Sequence, residues 1–289
     1  MLRLAHAALD QALAILPKDA DALPLLLGLP EHHTTQPIDA SRFLTRLAIQ
    51  SKAALDLKRS AAAPRGRAAG VLALKQAAAR IESGECPYVL VGGVDSLVEL
   101  YVLGTLDRQG RIRGEKVSDG FSPSEGAAFL LLTTAARAAA QGLEVLAQLV
   151  GAASAQESGH VYADEPYLGD GLAAAFTELL AAAPAEAIGC VYASFNGERY
   201  WAREFGTARI RNSRHFADDL QMEHPAECFG DLGAAFGPTL AALAAHGVAN
   251  GYRRAPCLAY ASSDHGDRAA ILLAKAVARP TGEMRKEDF

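Results

Sequence analysis

The chain has 289 residues, half of them hydrophobic, with 21% charged residues and a formal net charge of −5. That size and composition suit a folded chain with a large buried core and argue against disorder. The net negative charge argues against a nucleic-acid-binding domain, which carries a clustered positive excess. No uncharged apolar run reaches the roughly 18 residues that a membrane helix needs.

The first segment, MLRLAHAALDQALAILP, has the length of a signal peptide. His6 and Asp10 interrupt it, however, and Leu2, Leu9, Leu13 and Leu16 fall near one helical face. It reads as an amphipathic core helix over 2–16. A strand over 23–28 follows, then a polar connector and a helix over 40–52. Next come a long helix over 67–83 and strands over 87–92 and 127–133. The second half opens with a strand over 144–151, followed by a helix over 170–182 and a strand over 188–194. Irregular, Arg-rich sequence then leads to a helix over 232–247 and closing strands over 257–262 and 269–274. Helices and strands alternate throughout, the pattern of an α/β architecture.

The order helix, strand, connector, long helix, strand, strand occurs twice, which is evidence for a duplicated fold. The halves divide at 1–140 and 141–289. Only the second has an opening strand, so the first half lacks one edge strand, and an uncovered sheet edge exposes unpaired backbone groups. The long helices at 67–83 and 232–247 are rich in Ala and Leu on nearly all sides, as expected of helices buried between layers. Pro238 belongs in a first turn or at a kink. Two internal helices between two sheets give five layers, α-β-α-β-α.

The four cysteines (Cys86, Cys190, Cys228, Cys257) form no C-x-x-C pair. Reduced thiols in a cytoplasmic protein fit this spacing. The histidines, His33 among them, show no H-E-x-x-H spacing, so no metal site and no cofactor are expected.

Three segments carry a family resemblance: Gly66-Arg67-Ala68-Ala69-Gly70 at a helix start, Pro87–Leu97 (PYVLVGGVDSL), and Asp119–Leu132 (DGFSPSEGAAFLLL). In this order they resemble the β-ketoacyl-acyl carrier protein synthases, condensing enzymes of the thiolase superfamily. The resemblance is carried by about residues 66–133 and extends more weakly over 187–275. It implies a thiolase-like form of the duplicated five-layer fold, truncated in its first half.

Family members join an acyl group to a decarboxylating malonyl unit held on acyl carrier protein. A Cys at the start of the first buried helix takes the acyl group, where the helix dipole favours its thiolate. Two His, or a His and an Asn, hold the thioester oxygen as the enolate forms. At these three places the present chain departs from the family. Arg67 stands at the nucleophile position, with no Cys or Ser over 64–69. The first His position falls in Val191–Arg199 (VYASFNGER), which offers Asn196 and Glu198. Asp231 replaces the second His.

An arginine at a helix N-terminus opposes the helix dipole. Buried, it requires an anionic partner. Arg67 therefore either pairs with Asp231 or Glu198, filling the vestigial site, or points to solvent through the substrate tunnel. Asn196 is either an oxyanion donor or part of an Asn-Gly turn. Cys228 is either a displaced nucleophile or a small buried hydrophobe. The Ser262-Ser263-Asp264-His265-Gly266 run reads as a turn rather than a catalytic triad. Arg108, Arg111, Arg113 and Lys116 form either a carrier-docking patch or a solvated loop. Glu198-Arg199 and Arg203-Glu204 read as surface charge pairs worth little.

The resemblance thus implies a β-ketoacyl synthase-like protein of fatty acid or polyketide-type biosynthesis that lacks independent condensing activity. It would act as a chain-length-factor-like partner or a carrier-protein docking subunit. The alternatives are an acyl-thioester enzyme with a displaced nucleophile and a non-catalytic binder of acyl-CoA or acyl carrier protein. The expected partners are acyl carrier protein or acyl-CoA and a dimer mate, either a second copy or an active ketosynthase. No nucleic acid or membrane is expected.

Overall fold

The computed structural model describes residues 1–16, 21–32, 37–181 and 186–276. His33, and position 182 at the end of one expected helix, lie outside them. The first half runs α1 (Leu2–Leu13), β1 (Leu25–Leu29), α2 (Ala40–Ser51), β2 (Ala61–Pro64), α3 (Ala69–Glu82), β3 (Tyr88–Ser96), α4 (Leu100–Arg108) and β4 (Glu125–Thr133). A short α5 (Ala135–Ala140) leads to the second half. That half runs β5 (Ala147–Gln156), α6 (Asp170–Ala181), β6 (Ile188–Ala193), α7 (Arg199–Arg211), β7 (Phe216–Glu223), α8 (Ala226–Phe229), α9 (Phe236–Ala249), β8 (Cys257–Ser262) and β9 (Asp267–Lys275).

Two mixed sheets form, in the orders β2-β1-β3-β4 and β5-β9-β8-β6-β7. The last strand of each half, β4 or β9, runs antiparallel to its neighbours. Superposing the orders leaves β5 without a counterpart among the described residues, as the sequence predicts. The consequence is visible in burial. Most of β9 is buried beneath β5, whereas β4 is half-exposed along nearly its whole length.

Helices α1 and α2 cover the outer face of the first sheet with Ala5, Leu9, Phe43, Leu44 and Leu47. Leu2, Leu13 and Leu16 pack in the same cluster, so the first helix lies against the core as its periodicity requires. Helix α6 packs Leu172, Phe176 and Leu180 on the outer face of the second sheet, joined by Phe205 and Ala208 of α7. Between the sheets, α3 and α9 share one core with Val71, Leu74, Phe236, Leu240 and Ala244. Pro238 sits in the first turn of α9, where its missing N–H leaves no helical bond unmade. The five layers are therefore present.

The Arg-rich stretch that reads as irregular contains both α7 and the edge strand β7. Its inward residues Trp201, Glu204, Phe205 and Ala208 recur at helical spacing, but arginines crowd the outward face and mask the pattern.

Candidate functional site

The two internal helices begin close together, and the side chains at their starts form one buried polar cluster. Gly66 adopts φ +61°, a backbone conformation open to glycine, and turns the chain from β2 into a short 3₁₀ turn over Gly66–Ala68 that leads into α3. Arg67 lies on that turn and is buried, with 5% of its surface exposed. Its guanidinium faces two carboxylates. Nε donates to both oxygens of Asp231 at 3.0 and 2.8 Å, and Nη2 donates to Asp231 Oδ2 at 2.5 Å. Nη1 donates to Asp264 Oδ1 at 2.6 Å. The ring of Trp201 lies 5.4 Å from the guanidinium carbon and that of Phe121 5.9 Å.

A second arginine completes the arrangement. Arg111 donates to Asp264 through Nη1 at 2.6 Å and Nη2 at 3.1 Å. It also grips Glu198 with two parallel bonds, Nε to Oε1 at 2.7 Å and Nη2 to Oε2 at 2.8 Å. Planar guanidinium–carboxylate forks of this kind fix geometry as well as charge. Trp201 Nε1 donates to Glu198 Oε2 at 2.9 Å. Asn196 Nδ2 links the two halves of the cluster, donating to Asp231 Oδ2 at 2.7 Å and Glu198 Oε2 at 3.2 Å.

The backbone supports the acids. Gly233 N–H donates to Asp231 Oδ1 at 2.9 Å, in the turn leading into α9. Asp95, at the end of the Gly-Gly strand, accepts from Ala234 N at 2.8 Å and Ser96 N at 2.8 Å. Glu31, following β1, accepts from the backbone N–H groups of Asp264 and His265 at 3.1 and 3.2 Å and so braces the β8–β9 turn.

The charges divide accordingly. Burial pulls down the pKa of Arg67, but Asp231 and Asp264 outweigh it, so the group stays charged. Burial would raise the Asp264 carboxyl, yet Arg67 and Arg111 hold it well below the usual carboxylate range. Asp95 has no arginine fork. Burial dominates there, and its pKa is pushed up to about 7 despite two backbone donors.

The cavity left beside this cluster measures about 20 Å³ and is lined by Glu31, Arg67, Asp95, Phe121 and Asp264, among others. That is room for a water molecule. A thioester has no space there, and no thiol lines the cavity.

Of the expected site residues, Arg67, Asn196, Glu198 and Asp231 all come together. Arg67 pairs with Asp231, and the solvent-facing orientation is excluded by its burial. Glu198 pairs with Arg111 instead of Arg67. Asn196 makes its Asn-Gly turn and uses its amide to tie Asp231 to Glu198. Cys228 is exposed on the short α8 and is not among the residues lining the cavity, which corrects the reading of it as a buried hydrophobe.

Arg111 also differs from expectation. The loop after α4 pairs with Phe121 through backbone bonds in both directions, which swings Arg111 inward and buries it. Only Arg108, Arg113 and Lys116 of the basic cluster stay on the surface. Glu198 and Glu204 are not surface charges either. Glu204 is buried and receives the Arg268 Nε at 2.5 Å. The 262–266 run forms the β8–β9 turn as expected. Asp264 on it serves as the shared anion, a role that local sequence does not announce. Among the described residues, no group of three or more His, Cys, Asp or Glu is placed to hold a metal, and no helix is long and apolar enough to cross a membrane.

Residues 66–138 match the sequence profile "Beta-ketoacyl synthase, N-terminal domain". No curated protein matches the chain. Solved structures share its fold. One is a chain from a type II PKS acyl-carrier protein in complex with its ketosynthase bound to the hexaketide. It matches with a TM-score of 0.78 at 16% identity over 95% of this chain and 85% of that one. The ishigamide ketosynthase/chain length factor matches with a TM-score of 0.76 at 16% identity, over 96% of this chain and 84% of that one. The ketosynthase from module 6 of the bacillaene synthase of Bacillus subtilis 168 matches with a TM-score of 0.75 at 13% identity, over 89% of this chain and 54% of that one. The chain thus has the fold of the ketosynthases and is β-ketoacyl synthase-like in sequence over residues 66–138, with an arginine–carboxylate cluster at the start of its first buried helix.

Proposed function

We propose that the chain is a non-catalytic, ketosynthase-like partner in fatty acid or polyketide-type biosynthesis, pairing with an active ketosynthase in the manner of a chain length factor. The observation that carries this reading is Arg67. Where the resemblance implies a nucleophilic thiol, two carboxylates hold a guanidinium fixed, and the adjoining cavity of about 20 Å³ admits no acyl group. Condensation needs a nucleophile, an oxyanion donor and space for two thioesters at one point. The cluster offers acceptors already saturated by arginine and an Asn196 amide engaged by two acids.

The proposed surface for a dimer mate lies beside α3. Strand β2 forms an edge of the first sheet, and next to it lies an open cavity of about 200 Å³ lined by Leu26, Ala61, Ala63, Ala69 and Leu72, with Arg65 and Gln76 contributing polar groups. The family that the chain resembles dimerises through the sheet next to the first buried helix, which supports reading this edge as the contact. The surface residues Arg108, Arg113 and Lys116 are the proposed docking site for an acidic carrier protein.

The test is twofold. The purified chain is incubated with acyl-CoA and a malonyl thioester, and the intact mass and products are followed. No acyl adduct and no condensation product are expected. The chain is also co-expressed with a Cys-bearing type II ketosynthase and the two are co-purified as a heterodimer. Turnover by the isolated chain, or an acyl group on Cys228, overturns the reading. So does failure to pair with any ketosynthase while the chain binds acyl-CoA alone, which would mark a stand-alone binder.

A further inference from the structure

We propose that the outward face of α7 docks an acidic helix of a partner protein. The inference rests on this helix alone and stands whether or not the chain pairs with a ketosynthase. Over residues 199–214 the chain carries Arg199, Arg203, Arg209, Arg211 and Arg214, all exposed, although its net charge is −5. The one acidic residue inside α7, Glu204, is buried and neutralised by Arg268. At 3.6 residues per turn, Arg199, Arg203 and Ile210 fall on one stripe that continues toward Arg214, with Ala202 and Gly206 between them. Ile210 is 76% exposed, an apolar anchor within a cationic surround.

Folding relieves this charge only in part. Asp170 takes Arg211 at 2.5 Å, and Asp119 lies 3.9 Å from Arg199. Arg203 and Arg209 have no carboxylate partner among the described residues. Arg199 and Arg203 also stand in the first turns of the helix, against its dipole, and are spaced i, i+4, where like charges repel. The sequence therefore holds an electrostatic cost that an anionic partner would remove. The small residues Ala202 and Gly206 let a second helix approach closely, and Ile210 supplies a contact that a bare polyanion cannot use. Ile210 favours an acidic amphipathic helix over nucleic acid, and the close approach allowed at Ala202 and Gly206 favours it over an anionic membrane. The docked face lies behind Trp201, the single tryptophan of the chain, which is buried on the inner side of the same helix.

The probe is a synthetic amphipathic peptide with Glu along one face and Leu and Ala along the other, titrated against the full chain. Trp201 fluorescence and calorimetry serve as readouts. Binding is expected at low salt and should weaken as ionic strength rises. Charge reversal by R203E with R209E should weaken it about tenfold or more. I210S should weaken it with no change of charge. Circular dichroism checks that each variant keeps its fold, and R203A with R209A gives a milder second pair. R42E with R46E, on the exposed side of α2 over the first sheet, should leave peptide binding unchanged. Loss of binding in that pair but not in the α7 variants overturns the proposal. So does binding of an oligothymidylate or of phosphatidylglycerol vesicles as tight as that of the peptide, or insensitivity of the peptide to I210S. A failed co-purification with a ketosynthase leaves these outcomes untouched, so the two readings fail separately.

Discussion

Arg67, in the turn that opens α3, is chelated by Asp231, in the turn that opens α9, so the two internal helices are joined at their N-termini by a bidentate ion pair. Each residue answers a need of the other. A guanidinium at a helix start opposes the dipole, and a fully buried carboxylate requires a cation. In the proposed function, the pair stands at the helix start where the resemblance implies a nucleophile.

The first prediction concerns that pair. R67A leaves Asp231 and Asp264 buried, and the loss of one partner from a buried ion cluster typically costs about 3–5 kcal/mol. Urea unfolding should show a lowered midpoint with an unchanged slope. A loss below about 1 kcal/mol would mean that water reaches the carboxylates and that the cluster is not the anchor described.

Installing a thiol should not restore a nucleophile. R67C replaces a guanidinium bonded to Asp231 and Asp264 by a thiol, and nearby anions disfavour a thiolate. The pH profile of iodoacetamide labelling should place the introduced thiol above the ordinary value of about 8.5. No acyl adduct should form with acyl-CoA. Fast labelling of that thiol at pH 7 would refute this.

Stability should fall as pH rises toward neutrality because of Asp95. Its folded pKa, about 7, lies above the carboxylate value of 3.8. Between those values the native state holds a proton that the unfolded state has released. The stabilisation is therefore complete below about pH 4 and lost as pH rises through 7. His265, raised by its bond to Glu31, adds a loss of the same sign above its ordinary 6.5. Asp264, held low, contributes stability that disappears only in acid. D95N removes the first term, so the slope of unfolding free energy between pH 5 and 8 should flatten in that variant. An unchanged slope would assign the dependence to other groups.

How far the sequence discloses this molecule depends on what each signal requires. The layers and the duplication are legible because buried strands and amphipathic helices impose short periods on the residue pattern. Strand β2 is not legible, since Ala61–Pro64 lacks the β-branched residues that mark a strand and exists through pairing with β1. Arg67 and Asp231 can be paired from sequence because both stand at starts of buried helices. Asp264 and Arg111 cannot. They reach the cluster from loops 153 residues apart, and nothing within either loop distinguishes an inward charge from a solvated one.

The Gly-Gly of β3 offers the sharpest packing test. A Cβ at Gly93 would lie 2.2 Å from the carbonyl oxygen of Ala234, in the backbone of the turn that opens α9. A Cβ at Gly70 would lie 2.2 Å from Pro238 Cδ, where α3 and α9 cross. Both substitutions overpack, which typically costs about 1–3 kcal/mol, but they differ in what must move. G93A pushes on the segment whose Ala234 N–H binds Asp95 and whose Gly233 N–H binds Asp231, so it strains the ion cluster directly. G70A pushes on a ring within the core and leaves those bonds in place. The expected order of melting temperatures is therefore wild type, then G70A, then G93A, with the pH dependence due to Asp95 altered only in G93A. Equal pH profiles for the two variants would show that the Gly93–Ala234 contact does not hold the cluster in position.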